Sequence, residues 1–148
     1  MQQNLVLCLL QEDAMIFITG AAGHIGKRMA RRFLKEGTEF IGIDCADNFE
    51  LPEYRFSKLD IRDPAVENLM KANGVDAVIH LAFCTKPKMD PKERYDIDLN
   101  GSQNIAVCAV KAGVKHFVFA SSGRVYGNQS APGGRYDGEG HYLNPGED

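Results

Sequence analysis

From residue 15 onward, short apolar runs alternate with longer stretches of helical period. Runs rich in β-branched and aromatic residues stand at MIFIT (15–19), EFIGID (39–44), YRFSKLD (54–60), DAVIHLA (76–82) and HFVFAS (116–121). They are short and mostly continuous in apolar character, as strands buried on both faces of a parallel sheet must be. Between them the period lengthens. Ile25, Met29 and Phe33 recur every fourth residue with Ala30 and Leu34 beside them, which predicts a helix over 24–36 whose apolar face lies on the sheet and which Gly37 closes. Asp63-Pro64 predicts a second helix start, with Val66, Leu69 and Met70 inward and Gly74 past its end. Asp90-Pro91 predicts a third, long helix carrying Ile97, Ile105, Ala109 and Val110 to Gly113. Repeated strand–helix alternation predicts an α/β fold: a doubly wound parallel sheet of order 3-2-1-4-5 in a three-layer α/β/α arrangement.

The ends of the chain depart from this pattern. Residues 1–14 hold one apolar run, 5–10, with no basic residue before it; it is too short for a membrane span and lacks the flank of a secretory signal. We read them as an extension preceding a domain over 15–126. Residues 127–148 contain six glycines and two prolines, a composition that opposes regular structure and predicts a loop or disordered tail.

At 148 residues the chain is one domain's worth. With 17 basic and 20 acidic side chains, a net charge of −3 and no basic run, neither nucleic acid nor a membrane surface is an expected partner. Cys8, Cys45, Cys84 and Cys108 are widely spaced, so neither a zinc site nor a disulfide framework is indicated, and a cytoplasmic location is expected.

The candidate chemistry begins where the first strand runs into TGAAGHIG, residues 19–26. Gly20, Gly23 and Gly26 let the backbone turn sharply, approach a pyrophosphate without Cβ interference, and pack the helix on the strand. His24 and Ile25 stand in the first helical turn, whose N–H groups and positive dipole end suit phosphate. Asp44, at the end of the second strand and 18 residues beyond Gly26, can accept hydrogen bonds from ribose hydroxyls and repel a 2′-phosphate, which favours NAD over NADP. Taken alone, Asp44 is equally readable as a turn aspartate.

These motifs, with four more in the same order, resemble the extended short-chain dehydrogenase/reductase family of NAD-dependent nucleotide-sugar epimerases and dehydratases. TGAAGHIG resembles its TGxxGxxG, and LDIRD resembles the segment bordering adenine, matching Asp60 and Ile61. VIHLA resembles its fourth-strand motif, matching His80, Leu81 and Ala82. LNGSQN resembles its NxxGT-like segment, matching Asn100 near the nicotinamide ribose. FASSGRVYG resembles its fifth-strand serine motif, matching Ser122 as the active-site serine and Ser121 on the cofactor side. The resemblance covers residues 15–127 and implies a Rossmann-type sheet, a dinucleotide cofactor and a nucleotide-sugar substrate. His80 is more simply a satisfied core histidine, and Ser122 is also readable as a strand-end cap.

In the resembling enzymes the serine works with a Tyr-x-x-x-Lys pair on a later helix, where the lysine lowers the phenol pKa and makes it a base. The one such spacing in this chain is Tyr54 to Lys58, inside an expected strand, where residues four apart are roughly 13 Å from one another. The last lysine is Lys115, before the serine. We therefore expect a chain truncated ahead of the substrate lobe and inactive alone. The alternatives are a non-catalytic NAD sensor or docking protein, and one half of an enzyme completed by another chain. An exposed edge at the fifth strand would invite self-association.

Overall fold

The structure, a computed structural model, describes residues 14–46, 55–84 and 88–122. Residues 1–13, Tyr54 and the 127–148 segment lie outside the described residues. Five parallel strands form one sheet: β1 (Ile16–Thr19), β2 (Phe40–Asp44), β3 (Phe56–Lys58), β4 (Ala77–His80) and β5 (His116–Phe119), in the order β3-β2-β1-β4-β5. Ile16 pairs with Phe40 on one side and Ala77 on the other, and Ala77 in turn with His116, so all strands point their carboxyl ends the same way. The order expected from the alternation is the order found.

Period-2 burial divides the sheet between two cores. Ile16, Ile18 and Ile79 face helix α1 (His24–Glu36) and its Ala30 and Phe33. Phe17, Ile41, Ile43 and Val78 face helix α2 (Ala65–Ala72) and helix α4 (Ser102–Ala112), meeting Val66, Met70, Ile105 and Ala109. Complete burial of a side chain such as Phe17 or Ile18 contributes about 1.5–3 kcal/mol.

Three expectations need correction. Helix α1 buries Gly26, Ala30 and Phe33, with Met29 and Leu34 packed beside them as expected, but Ile25, expected at the head of that stripe, is 57% exposed. The cause is Gly26: a Cβ there would lie 2.7 Å from Ala21 Cα, so the helix rides directly on the strand-end turn and rotates Ile25 outward. The long third helix is interrupted. Helix α3 (Pro91–Tyr95), capped by Asp90 Oδ1 accepting from the Lys92 and Glu93 N–H groups, passes into a π-helical segment, Asp96–Gly101, before α4. The Ser102 hydroxyl bonds the Asp98 carbonyl at 2.6 Å, competing with backbone donors there. A Cβ on Gly101 would come within 2.6 Å of Ile61 Cδ1, so this widened turn is packed against the β3–α2 connection. Val110, expected inward, is 80% exposed because Ile105, Cys108 and Ala109 take the buried face.

Candidate dinucleotide groove

The carboxyl ends of β1, β2 and β4 open onto a cavity of about 320 Å³. It lies where the winding reverses between β1 and β4, the place where open α/β sheets bind ligands. Its floor is the turn after β1. Gly20 has φ of 69°, a left-handed conformation, and a Cβ there would sit 2.8 Å from the Ala82 nitrogen. Only glycine fits both conditions. Gly23 is the N-cap of α1 and supplies no side-chain cap, so the first-turn amides of α1 have no side-chain acceptor of that kind.

One wall is the end of β2 with the turn after β3. Asp44 Oδ2 accepts from the Ala22 N–H at 2.9 Å and Oδ1 from the Ala46 N–H at 3.1 Å, so the carboxylate is fastened to the glycine turn. Asp60 and Ile61 line the same wall. Hydrogen bonds from the Arg62 side chain hold the Asp60 carboxyl below the usual carboxylate range. Partial burial, then the carboxylates of Asp60 and Asp44, push the Cys45 thiol up, which keeps it protonated.

The opposite wall is the segment after β4. Thr19 Oγ1 accepts from the Leu81 and Ala82 N–H groups, both at 3.1 Å, and tethers that segment to β1. Asp98 Oδ1 accepts from the Cys84 N–H at 2.7 Å and holds its far end. His80 lies behind, 1% exposed, with Nδ1 2.5 Å from Thr19 Oγ1 and Nε2 2.9 Å from Ser102 Oγ. The Ser102 proton is committed to the Asp98 carbonyl, so His80 Nε2 donates to Ser102 and Nδ1 accepts from Thr19. Burial lowers the His80 pKa to about 4, matching this neutral tautomer.

The family profile described as NAD dependent epimerase/dehydratase family matches residues 16–148. The chain belongs to that family. Among its relatives, a UDP-glucose 4-epimerase of Schizosaccharomyces pombe is 28% identical over 137 residues, 82% of the chain and 39% of the relative. One from Klebsiella pneumoniae is 31% identical over 129 residues, 77% of the chain and 93% of the relative. The Thermus thermophilus UDP-glucose 4-epimerase, crystallised with NAD, superposes with a TM-score of 0.73 at 29% identity, over 84% of the chain and 42% of that structure. A Stenotrophomonas maltophila UDP-glucose-4-epimerase, with bound NAD and formylated UDP-arabinopyranose, gives 0.71 at 28%, over 80% and 40%. The chain thus spans about 40% of these two structures and 39% of the S. pombe relative, but most of the K. pneumoniae one.

Within the groove, Gly20, Gly23, Asp44, Asp60, Ile61, Leu81 and Ala82 come together as lining residues. Gly26 is buried beneath the turn, while His24 and Ile25 are exposed on the first turn of α1. Ser121 and Ser122 lie just beyond β5, exposed and outside the lining. Asn100 is also outside it, donating from Nδ2 to Asp96 Oδ1 at 2.6 Å. Sequence reasoning missed Ile97, Phe83, Cys84 and Met89, which complete the walls. Ile97 was legible only as an inward helix position; the π-helical turn brings it to the groove.

Proposed function

We propose that this chain binds NAD in the groove, in preference to NADP, and is the dinucleotide-binding part of a nucleotide-sugar epimerase or dehydratase. The observation that carries the reading is the Asp44 carboxylate fastened to the glycine turn at the Ala22 N–H, beside the α1 terminus with no side-chain cap. Backbone N–H donors suited to phosphate and an acid suited to a ribose therefore share one lip of the groove. In this reading the backbone at 20–26 takes the pyrophosphate, Asp44 takes the adenosine ribose, Asp60 and Ile61 border the adenine, and Leu81 and Ala82 continue toward the nicotinamide. Ser121 and Ser122 stand at the substrate end, where Ser122 orients a sugar hydroxyl. NAD, when bound, supplies the hydride acceptor. A cytoplasmic setting accords with Cys45, Cys84 and Cys108 being free thiols.

The test is titration calorimetry of the 148-residue chain with NAD, beside Gly23→Val. A Cβ at Gly23 already approaches the Gly20 carbonyl oxygen at 3.0 Å, and valine adds bulk over the turn. Binding by the parent chain and its loss in the variant are expected; undiminished binding by the variant would refute the cradle.

No lysine follows Ser122, so we propose that these 148 residues alone do not turn over nucleotide-sugars. The same fact favours a second reading, in which another chain supplies the Tyr-x-x-x-Lys helix. Turnover by the pure chain would contradict the first statement, and turnover restored by an added partner chain would select the second.

A further inference from the structure

The hydrogen bonds behind the groove run in one direction. Thr19 Oγ1 accepts from both the Leu81 and Ala82 N–H groups, so its lone pairs are used and its own proton goes to His80 Nδ1. His80 Nε2–H donates to Ser102 Oγ at 2.9 Å, and the Ser102 proton goes to the Asp98 carbonyl at 2.6 Å. Asp98 closes the circuit, because its carboxylate Oδ1 accepts from the Cys84 N–H at 2.7 Å. Residues 81–84 line the groove. They are held at one end by Thr19 and at the other by Asp98, and these two holding residues are joined through His80 and Ser102.

The tautomer of His80 decides whether this arrangement closes. A ring carrying its proton on Nδ1 would set a second donor against the Thr19 hydroxyl, which could accept it only by letting go of Leu81 or Ala82. Leu81 shares its N–H with the Thr19 carbonyl at 3.2 Å. Ala82 therefore leans more on the hydroxyl, and its nitrogen is the atom nearest to where a Cβ on Gly20 would lie, at 2.8 Å. Ser102 favours the tautomer that fits. It stands where the π-helical segment returns to α4, and with its proton drawn to the Asp98 carbonyl its oxygen faces the ring as an acceptor.

We infer that Ser102, which is outside the groove lining, is a positioning residue for the bound dinucleotide: acting through His80, it fixes the Thr19 hydroxyl as an acceptor and so sets the 81–84 wall against which the cofactor lies. The inference rests on the NAD reading and deepens it.

The experiment titrates NAD into the 148-residue chain, Ser102→Ala, Ser102→Thr, Thr19→Val and the Ser102→Ala/Thr19→Val double variant, and reads the His80 ring nitrogens by NMR at neutral pH. Ser102→Ala is expected to lower NAD affinity by about five- to tenfold, the worth of one hydrogen bond, and Ser102→Thr, which keeps the hydroxyl, to stay within about twofold of the parent. Thr19→Val also weakens binding, and the double variant loses no more than Thr19→Val alone, because both groups act along one chain of bonds; independent structural losses would multiply. The parent ring carries its proton on Nε2, and Ser102→Ala moves population to the Nδ1–H form. That spectrum carries the test if Thr19→Val does not fold. Parent-like affinity in Ser102→Ala, multiplied losses in the double variant, or an Nδ1–H ring in the parent overturns the inference while the NAD reading stands. A parent that binds no NAD overturns both.

Discussion

Asp44 has two tasks at the scale of the single residue. It anchors the glycine turn through Ala22 and presents its charge to the groove. Asp44→Ala is expected to weaken NAD binding by about ten- to a hundredfold, the loss of charge-assisted hydrogen bonds. NADP binding should fall less, because removing the carboxylate also removes its repulsion of a 2′-phosphate. Parallel titrations with the two dinucleotides check this, and an unchanged ratio would take Asp44 out of the recognition. Glycines and a strand-end acid were legible in the chain because each answers a local geometric demand. Asn100 lies outside the cavity lining while Ile97 of the same π-helical segment lines it; which helical side chain faces a groove depends on turn geometry that a linear pattern does not record.

Elements are coupled through His80. Its ring joins β1, β4 and the start of α4 through Thr19 and Ser102, with Phe117 and Phe119 of β5 packed beside it. No charged side chain is among these neighbours, and burial alone holds its pKa near 4 against an ordinary 6.5. The folded state therefore binds fewer protons than the unfolded state between these values. The contribution is complete above pH 6.5 and is lost as pH falls toward 4, by about 3 kcal/mol in all. Denaturant midpoints should drop between pH 7 and pH 5, and His80→Gln should flatten that drop; an equal slope in both proteins would assign it to other groups. The lowered carboxyls of Asp60, Asp76 and Asp96 act below this window, since their stabilisation is lost only as they protonate. Sequence periodicity placed His80 inside a buried strand. It did not reveal the partners, which come from residues 61 positions before and 22 after.

Across the whole molecule, β3 and β5 are the edge strands of the sheet, and among the described residues β5 pairs with β4 alone. Its four residues are exposed, with Phe117, Val118 and Phe119 at 41%, 41% and 54%. An apolar edge strand templates pairing, so the 148-residue chain is expected to self-associate with rising concentration, and Val118→Lys to reduce it. Sedimentation equilibrium checks both, and a monomer at every concentration would mean that this edge is not a contact surface.

The sequence alone determined the strand and helix alternation, the parallel sheet and its order, the glycine turn and the acid that follows it. These depend on near-neighbour sterics and on the period of burial, which a linear pattern records. Tertiary structure alone decided that Ile25 and Val110 turn outward, the π-helical turn, the link that Arg62 makes between Asp60 and Asp96, and the orientation of His80. Each of those is a contact between side chains far apart in the chain, set by how closely one backbone can approach another.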